Sequence, residues 1–239
     1  MLVTVIGRGH SGTRAISHTL SASGVYMGEP LNVSGDLLPP EAMYEACRVM
    51  ARYVVYKGGL EWDFSQLYTM EIDPAFTRLI EDYLTSVLKS SSKDKGWKIP
   101  ETTLAYPWIA RMFPEAKFIH WVRDPRDCIL GSHVTDDLHT FGIDYPDTNG
   151  DVRLQRAYSW KYQREIMKAV PDPASVTRVR FEDMVLDQDN TLEKLSVFLG
   201  IGLAKIEMRA GPVGRWKTDG GVHMYDFFEP DMDENGYEY

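Results

Sequence analysis

Hydrophobic positions along the chain alternate between short β-branched runs and longer stretches with three- and four-residue spacing. The short runs predict strands at residues 2–6, 96–100, 117–122 and 176–181. Helical spacing is clearest at residues 41–54, 73–88, 153–170 and 190–199. Strands that alternate with helices are typical of a parallel sheet covered on both faces. The pattern therefore predicts an α/β fold, a three-layer α/β/α sandwich around a mostly parallel sheet.

Local signals place several helix ends. Asp73 followed by Pro74 predicts a helix start, because the carboxylate can accept a hydrogen bond from a free N–H and proline suits the first turn. Residues 190–193 resemble a capping box, in which two side chains satisfy the first N–H groups of a helix. A further helix is expected over residues 125–134, directly after the clearest interior strand.

The composition fits one globular domain. The chain has 239 residues, of which 44% are hydrophobic and 12% aromatic, enough for one well-buried α/β core. The net charge is −9, but residues 226–239 hold six acidic residues and no Lys or Arg, so the remainder is close to balanced. This balance argues against a basic face for nucleic acid and still allows a local basic pocket.

Two segments are expected to lie outside the core. Residues 135–151 are polar and should form a mobile lid, because they can bury little apolar surface. Residues 218–239 are acidic and aromatic and should form a solvated tail or partner segment behind a domain of residues 1–217. The chain opens directly into a strand, with no leader pattern and no apolar run of membrane length, so a cytoplasmic location is expected.

Candidate chemistry begins where the first strand ends, in the sequence GRGHSGTR. A strand, a glycine-rich turn and a helix-compatible run suit an anion, because glycines let backbone N–H groups converge and the helix N-terminus adds positive charge. Gly7 and Gly12 have the spacing of an ATP- or GTP-binding loop, but Thr13 stands where that loop needs lysine. No acidic residue ends a second strand about twenty residues on, so the dinucleotide fingerprint is not met either.

These residues resemble the loop of the 3′-phosphoadenosine-5′-phosphosulfate (PAPS) dependent sulfotransferases, in which a basic residue followed by Ser/Gly-Gly-Thr wraps the 5′-phosphosulfate. The departure is His10, where the family usually has Lys or Arg. The resemblance is to bacterial- or viral-type members and implies a P-loop NTPase-like fold. It assigns to PAPS binding the residues Arg8, Gly9, His10, Ser11, Gly12, Thr13 and Arg14.

A second segment, RDPRD, follows the strand KFIHWV and is similar to the family's 3′-phosphate site. A guanidinium at the carboxyl end of a strand can hold a phosphate through two hydrogen bonds, which makes Arg123 the candidate. The alternative is a surface ion pair between Arg123 and Asp127. The family's serine, eight residues after the arginine, falls at Gly131 here, and Ser132, one residue later, is the remaining candidate for its contact.

Two later segments extend the resemblance. The sequence VRFEDM is similar to the family's Tyr-Glu-Asp segment, which makes Phe181 a candidate for stacking on adenine; a core phenylalanine is the alternative. The sequence MRAGPVGRWK is similar to the C-terminal loop that closes over the 3′-phosphate. Its candidate contacts are Arg209, Arg215, Trp216 and Lys217.

The resemblance also implies three catalytic residues. The sequence WKIPE is similar to the Lys-x-Pro segment of bacterial and tyrosine-directed members, and Lys98 would stabilise charge on the transferring sulfuryl group. His10 would donate to the bridging oxygen, most usefully when protonated. Glu29, in a Gly-Glu context after the first helix, is the candidate base, and Glu101 is the reserve. Among the other histidines, only His133 lies near the predicted site.

The combined expectation is a sulfotransferase that moves a sulfuryl group in line from PAPS to a hydroxyl and releases adenosine 3′,5′-bisphosphate. No metal is expected, because the lysine-less loop has lost the usual metal geometry. The acceptor hydroxyl belongs to a small molecule, a glycan or a peptide, with no nucleic acid as partner, and the oligomeric state is open. The alternatives are a P-loop nucleotide kinase and a non-catalytic PAPS-binding module.

Overall fold

The centre of the fold is a four-stranded sheet, seen in a computed structural model that describes residues 1–171 and 175–238. In chain order the strands are β1 (Leu2–Ile6), β2 (Val55–Gly58), β3 (Glu61–Asp63), β4 (Lys95–Trp97), β5 (Lys117–Val122) and β6 (Val176–Arg180). The sheet has the order β4–β1–β5–β6, and every neighbouring pair is parallel. β2 and β3 form a separate antiparallel hairpin. All four predicted strands are present, although β4 ends at Trp97 and not at residue 100 as predicted.

Helices cover the sheet. They are α1 (Thr13–Ala22), α2 (Glu41–Ala51), α3 (Gln66–Thr69), α4 (Pro74–Tyr83), α5 (Thr85–Lys89), α6 (Tyr106–Met112), α7 (Pro125–Cys128), α8 (Val152–Ala169), α9 (Phe181–Leu186), α10 (Gln188–Leu199) and α11 (Glu229–Asn235). No helix within the described residues is long and apolar enough to cross a membrane.

The sheet separates two hydrophobic cores, and strand residues alternate between them. Val3, Val5 and Ile119 contribute to a core shared with α1, α9 and α10. Trp97 and Phe118 contribute to the other core, shared with α2, α4, α6 and α8. Adjacent strand residues point to opposite faces, which is why Phe118 and Ile119 pack on different sides. Helices on both faces confirm the three-layer α/β/α prediction.

The predicted helix start is confirmed for α4, whereas α10 starts earlier than predicted. The Asp73 carboxylate accepts a hydrogen bond from the Ala75 N–H at 2.8 Å and caps α4 as predicted. α10 begins at Gln188, two residues before the predicted capping box, and no side chain caps it. Gly200 ends α10 with φ of 76°, as its position predicted.

The segment after α7 differs from expectation. α7 ends at Cys128 and does not continue to residue 134, because His133 and Asp136 form a capping box that starts a separate 3₁₀ turn. The prediction of a lid that buries little is wrong, since Leu138 and Phe141 are fully buried in the core that contains α2. This segment is therefore part of the packed structure.

The acidic C-terminal segment also folds against the body. Phe228 and Met232 are fully buried and pack in a cluster that includes Trp160 of α8. The buried Asp231 pairs with Arg164 at 3.0 Å and Lys168 at 2.7 Å. The prediction of a solvated tail is therefore wrong for residues 224–238, because its apolar side chains fill the space beside α8 while its acids meet basic residues. Residue 239 lies outside the described residues.

Candidate active site

The site lies at the carboxyl edge of the parallel sheet, where each strand delivers a predicted residue. The glycine-rich loop follows β1, Lys98 follows β4, Arg123 follows β5 and Phe181 follows β6. Because the strands are parallel, their carboxyl ends meet at one edge, and ligands of such sheets bind there. The structure thus brings together four segments that are far apart in sequence.

A cleft of about 480 Å³ opens at this edge. The predicted residues that line it are Gly9, His10, Gly12, Thr13, Arg14, Lys98, Arg123, Phe181, Arg209 and Arg215. It is also lined by His18, Ser34, Asp36 and His133. With Glu207, which also lines the cleft, five Lys or Arg side chains and two acidic ones face it, so the cleft is suited to an anionic ligand.

The loop backbone fits tightly over Phe181. Gly12 has φ of 88°, and a Cβ there would lie 2.5 Å from Phe181 Cδ2, so only glycine is accommodated. The indole N–H of Trp121 donates to the Ser11 carbonyl at 2.9 Å and fixes the turn from below. Phe181 is both a core residue, 4% exposed, and a wall of the cleft, so the two interpretations of this residue are compatible.

Arg123 joins the loop to the C-terminal part of the chain. Its Nη1 donates to the His10 carbonyl at 3.0 Å, and its Nη2 donates to Asp127 at 3.2 Å and to the Pro212 carbonyl. Its Cζ lies 4.5 Å from the Phe181 ring centroid. The Arg123–Asp127 ion pair therefore exists, but it is buried rather than on the surface.

Asp127 organises the loop that carries the other two arginines. Its fully buried carboxylate accepts hydrogen bonds from the Gly214 N–H at 2.8 Å and the Trp216 N–H at 3.0 Å. Arg215, between these residues, is exposed and lines the cleft, as does Arg209. The C-terminal loop therefore brings cations to the same cleft as Arg123.

At the other end of the cleft, Lys98 is held by the chain between α1 and α2. Its Nζ donates to the Ser34 carbonyl at 2.7 Å and pairs with the carboxylate of Asp36. Burial lowers the pKa of Lys98, and the charge of Asp36 opposes that shift. Lys98 is 1% exposed, so its position is set by the protein rather than by solvent.

Glu101 and His133 form a second buried group beside Lys98. Burial raises the pKa of Glu101 to about 7, and its Oε1 has no hydrogen-bond partner among the described residues. His133 Nε2 lies 3.8 Å from that oxygen. The Thr135 N–H donates to His133 Nδ1 at 3.3 Å, which leaves the ring proton of the neutral imidazole on Nε2, facing Glu101.

His10 is shaped by its neighbours. It has left-handed φ of 61°, and its ring lies over Gly131, where a Cβ would come within 2.7 Å of His10 Nδ1. Partial burial and then the charge of Arg8 lower the pKa of His10, while a hydrogen bond to the Ser132 backbone raises it. At neutral pH His10 therefore offers a neutral N–H, and the expected imidazolium is not favoured.

Some predicted site residues do not line the cleft. They are Arg8, Ser11, Glu29, Ser132, Trp216 and Lys217. The reserve base Glu101 does not line the cleft either, although its neighbours Lys98, Pro100 and His133 do. Arg8 turns inward, where it pairs with Asp136 and donates to the Cys128 carbonyl at 3.0 Å. Trp216 lies instead against Arg126, whose Cζ is 3.9 Å from the indole centroid.

Glu29, the predicted base, does not line the cleft. Its backbone N–H donates to the Ser86 hydroxyl at 3.2 Å, and its carboxylate is hydrogen-bonded to Tyr26. The side chain is on the exposed surface. The structure therefore brings the reserve candidate, Glu101, beside Lys98 and does not bring Glu29 there.

Two functional residues were absent from the sequence prediction. Asp36 lies in an irregular segment without periodicity, so nothing in the sequence pairs it with Lys98. Asp127 was considered only as a partner of Arg123, and its contacts to the C-terminal loop depend on folding. In RDPRD two arginines alternate with two aspartates. This alternation is the sequence signal that could have indicated buried ion pairs within the segment.

A model of the sulfotransferase family matches residues 3–205 of the chain. The omega-hydroxy-beta-dihydromenaquinone-9 sulfotransferases Stf3 of Mycobacterium bovis and Mycobacterium tuberculosis are each 26% identical to it over 144 residues. That alignment covers 59% of this chain and 37% of each relative. The match thus spans little more than a third of the length of these curated relatives.

Solved structures show the same fold. The sulfotransferase domain from the curacin biosynthetic pathway has a TM-score of 0.61 at 11% identity, over 99% of this chain and 97% of that one. The sulfotransferase domain from the Synechococcus PCC 7002 olefin synthase has a TM-score of 0.59 at 13% identity, over 100% and 95%. The family match takes in every strand of the parallel sheet and the residues that follow each of them, and this chain belongs to the sulfotransferase family.

Proposed function

We propose that this chain transfers a sulfuryl group from PAPS to the hydroxyl of a small molecule. One observation carries the proposal: a single cleft joins a glycine-rich loop to three arginines at one end and to a buried lysine beside a carboxyl group at the other. This is the order of charges that a bisphosphorylated donor and its transferring group require. Family membership supports the same chemistry.

The arginine end suits the nucleotide. Arg123 is held in place by His10 and Asp127, so its guanidinium loses little freedom when a phosphate binds. Arg209 and Arg215 are exposed at the cleft and can close on the same phosphate with paired hydrogen bonds. The loop from Gly9 to Thr13 would hold the 5′-phosphate by its backbone N–H groups, and the Phe181 ring would contact the base.

The lysine end suits sulfuryl transfer. The transferring group passes through an SO₃-like state whose negative charge lies on its oxygens and on the departing phosphate. A cation held in a low-dielectric site stabilises such charge without reorganising. Lys98 meets this requirement because Asp36 and the Ser34 carbonyl fix its Nζ. His10 lies on the loop side of the cleft and would donate to the bridging oxygen by turning its N–H away from the Ser132 backbone.

Glu101 is our proposed base. It takes the proton from the acceptor hydroxyl as the oxygen attacks sulfur, and the S–O bond to the 5′-phosphate breaks. A pKa of about 7 suits this task, because the carboxylate is present at neutral pH and still accepts a proton readily. The His133 N–H, fixed on Nε2, would orient the carboxylate. Glu29 is on the exposed surface, whereas Glu101 is buried beside Lys98, so Glu29 is not part of this proposal.

The acceptor is proposed as a small-molecule alcohol. The curated relatives are named for an omega-hydroxy menaquinone derivative, which carries such a hydroxyl. The net charge of −9 does not favour a polyanionic acceptor. The cytoplasmic location expected from the sequence stays a prediction.

Binding and turnover test the proposal together. Calorimetry with adenosine 3′,5′-bisphosphate should show binding that ATP does not displace at equal concentration. Labelled PAPS with a panel of primary alcohols and phenols should then yield a labelled product. Tighter binding of ATP would favour a nucleotide kinase and overturn the proposal, and bisphosphate binding without transfer to any acceptor would favour a non-catalytic module.

A further inference from the structure

The acidic C-terminal segment, residues 224–238, ends on the back of the nucleotide site. We propose that it braces the C-terminal loop over the nucleotide and that Arg126 is the positioning residue that joins the two. This inference rests on the proposed function, since it concerns how Arg215 is held at the cleft. The inference is based on two sets of contacts: those of the C-terminal segment on one side of Arg126, and those of the C-terminal loop on its other side.

The first set anchors the segment to the body. Phe228 and Met232 are fully buried beside Trp160, and Asp231, 1% exposed, pairs with Arg164 and Lys168. A buried carboxylate with two cationic partners is costly to detach, because each partner would lose its counter-charge. The segment is therefore held firmly enough to position the side chain of Arg126.

The second set ties the end of the segment to RDPRD. The Tyr237 hydroxyl donates to Glu182 Oε2 at 3.0 Å, and Glu182 Oε1 accepts a hydrogen bond from the Asp124 N–H at 3.0 Å. Arg126 donates to the Glu238 carbonyl at 2.5 Å and to the Asp124 carboxylate at 2.8 Å. The segment thus fixes the orientation of the Arg126 guanidinium, which is 3% exposed.

On its other side Arg126 supports the loop. Its Cζ lies 3.9 Å from the Trp216 ring centroid, close enough for a cation–π contact. The Trp216 N–H and Gly214 N–H bind the carboxylate of Asp127, so the loop is held at two backbone points and one ring. Arg215 lies between those points and is exposed at the cleft. A tilted Trp216 would move Arg215 directly.

The geometry separates this role from a general structural one. Arg126 does not line the cleft, so its loss would reach a ligand through its neighbours, chiefly Trp216 of the loop and also Asp124 beside Arg123. Lysine at this position keeps the charge but lacks the planar group that can bond Asp124 and Glu238 while it stacks on Trp216. The effect of Arg126→Lys on nucleotide binding should therefore depend on Arg215 being present.

A double-mutant cycle measured by calorimetry with adenosine 3′,5′-bisphosphate tests this. We expect Arg126→Lys to weaken binding about tenfold, and to have no further effect once Arg215→Ala is in place. Hydrogen exchange of residues 209–217 should rise in Arg126→Lys. The matched control is Arg178→Gln, which removes a 2.6 Å ion pair to Glu234 of α11 without touching this relay, and its affinity should match wild type.

The outcomes are distinguishable. Additive losses for Arg126→Lys and Arg215→Ala, or unchanged binding in Arg126→Lys with an unchanged melting temperature, would overturn the brace and leave the proposed function standing. Equal losses in Arg178→Gln would also overturn it, since the effect would then come from the docked segment in general. Absence of bisphosphate binding by the wild-type protein would overturn the proposed function and with it the brace.

Discussion

The two ends of the cleft are built from opposite arrangements of charge. At the nucleotide end, Arg209 and Arg215 are exposed on a loop, and only Arg123 is fixed in the fold. At the transfer end, Lys98 and Glu101 are each 1% exposed, and Lys98 is paired within the protein. Loop cations can close on a ligand, whereas buried charges are set before it arrives. Binding and turnover should therefore be separable by mutation.

The largest expected effect is on turnover. Lys98→Met should lower kcat about 1000-fold, because the charge aimed at the sulfuryl group is lost, and should change bisphosphate affinity by no more than about threefold. Labelled PAPS turnover and calorimetry measure the two quantities. Lys95→Met is the matched control, since Lys95 lies on β4, the strand that Lys98 follows, and binds the carbonyls of Leu88 and Ser90 outside the cleft. Equal losses in affinity and kcat would contradict the separation.

Glu101→Gln should lower kcat about 100-fold through loss of the base. The pH dependence gives the sharper test. Because the pKa of Glu101 is raised to about 7, its carboxylate form grows as pH rises from 6 to 8, and wild-type kcat should rise over that window and then level. The pKa of His133 is lowered to about 3, so this histidine stays neutral throughout.

The rise in kcat should be absent in Glu101→Gln, whose amide does not titrate. Glu29→Gln serves as the control, and it should keep both the rate and the pH profile, because Glu29 lies outside the cleft. A rise that persists in Glu101→Gln and disappears in Glu29→Gln would reverse the assignment of the base.

Arg123→Ala should act at the other end of the cleft. Loss of paired hydrogen bonds to a phosphate is expected to weaken adenosine 3′,5′-bisphosphate binding about 50-fold, as measured by calorimetry. At saturating PAPS, kcat should stay within about threefold of wild type. Arg52→Ala, an exposed arginine after α2, is the control and should bind normally. Unchanged bisphosphate affinity in Arg123→Ala would contradict the proposed contact between Arg123 and the nucleotide.

The smallest effect is expected where the glycine-rich loop meets the turn after α7. Gly131→Ala places a Cβ 2.7 Å from His10 Nδ1, so the ring must shift and the loop with it. We expect about fivefold weaker bisphosphate binding by calorimetry. Gly202→Ala, where a Cβ meets nothing within 4 Å, should have no effect. Wild-type affinity in Gly131→Ala would show that the His10 ring position is unimportant for binding.

Much of the fold could be predicted, because strands and long amphipathic helices carry their own periodicity. β1 and β5 lie where the apolar runs predicted them, and Asp73 caps its helix. The failures share a cause. Residues 135–151 and 224–238 look polar on average, but their few apolar side chains are buried against elements distant in sequence. Composition alone does not reveal such docking.

The site residues also fall into a predictable group, which follows strands, and an unpredictable group, which lies in irregular segments. Lys98, Arg123 and Phe181 follow predicted strands, so parallel topology alone brings them to one edge. The local Gly-Glu context that favours Glu29 does not fix where an irregular segment lies in the fold. Asp36 comes from that same kind of segment, and only its contact with Lys98 marks it as part of the site.

A crystal structure with adenosine 3′,5′-bisphosphate tests the division of the cleft most directly. We expect the 5′-phosphate on the backbone N–H groups of residues 9–13, the 3′-phosphate within hydrogen-bond distance of Arg123 and Arg215, and open space between the 5′-phosphate and Lys98 for an acceptor. A bisphosphate bound in the reverse direction, with its 3′-phosphate on Lys98, or bound outside this cleft, would contradict it.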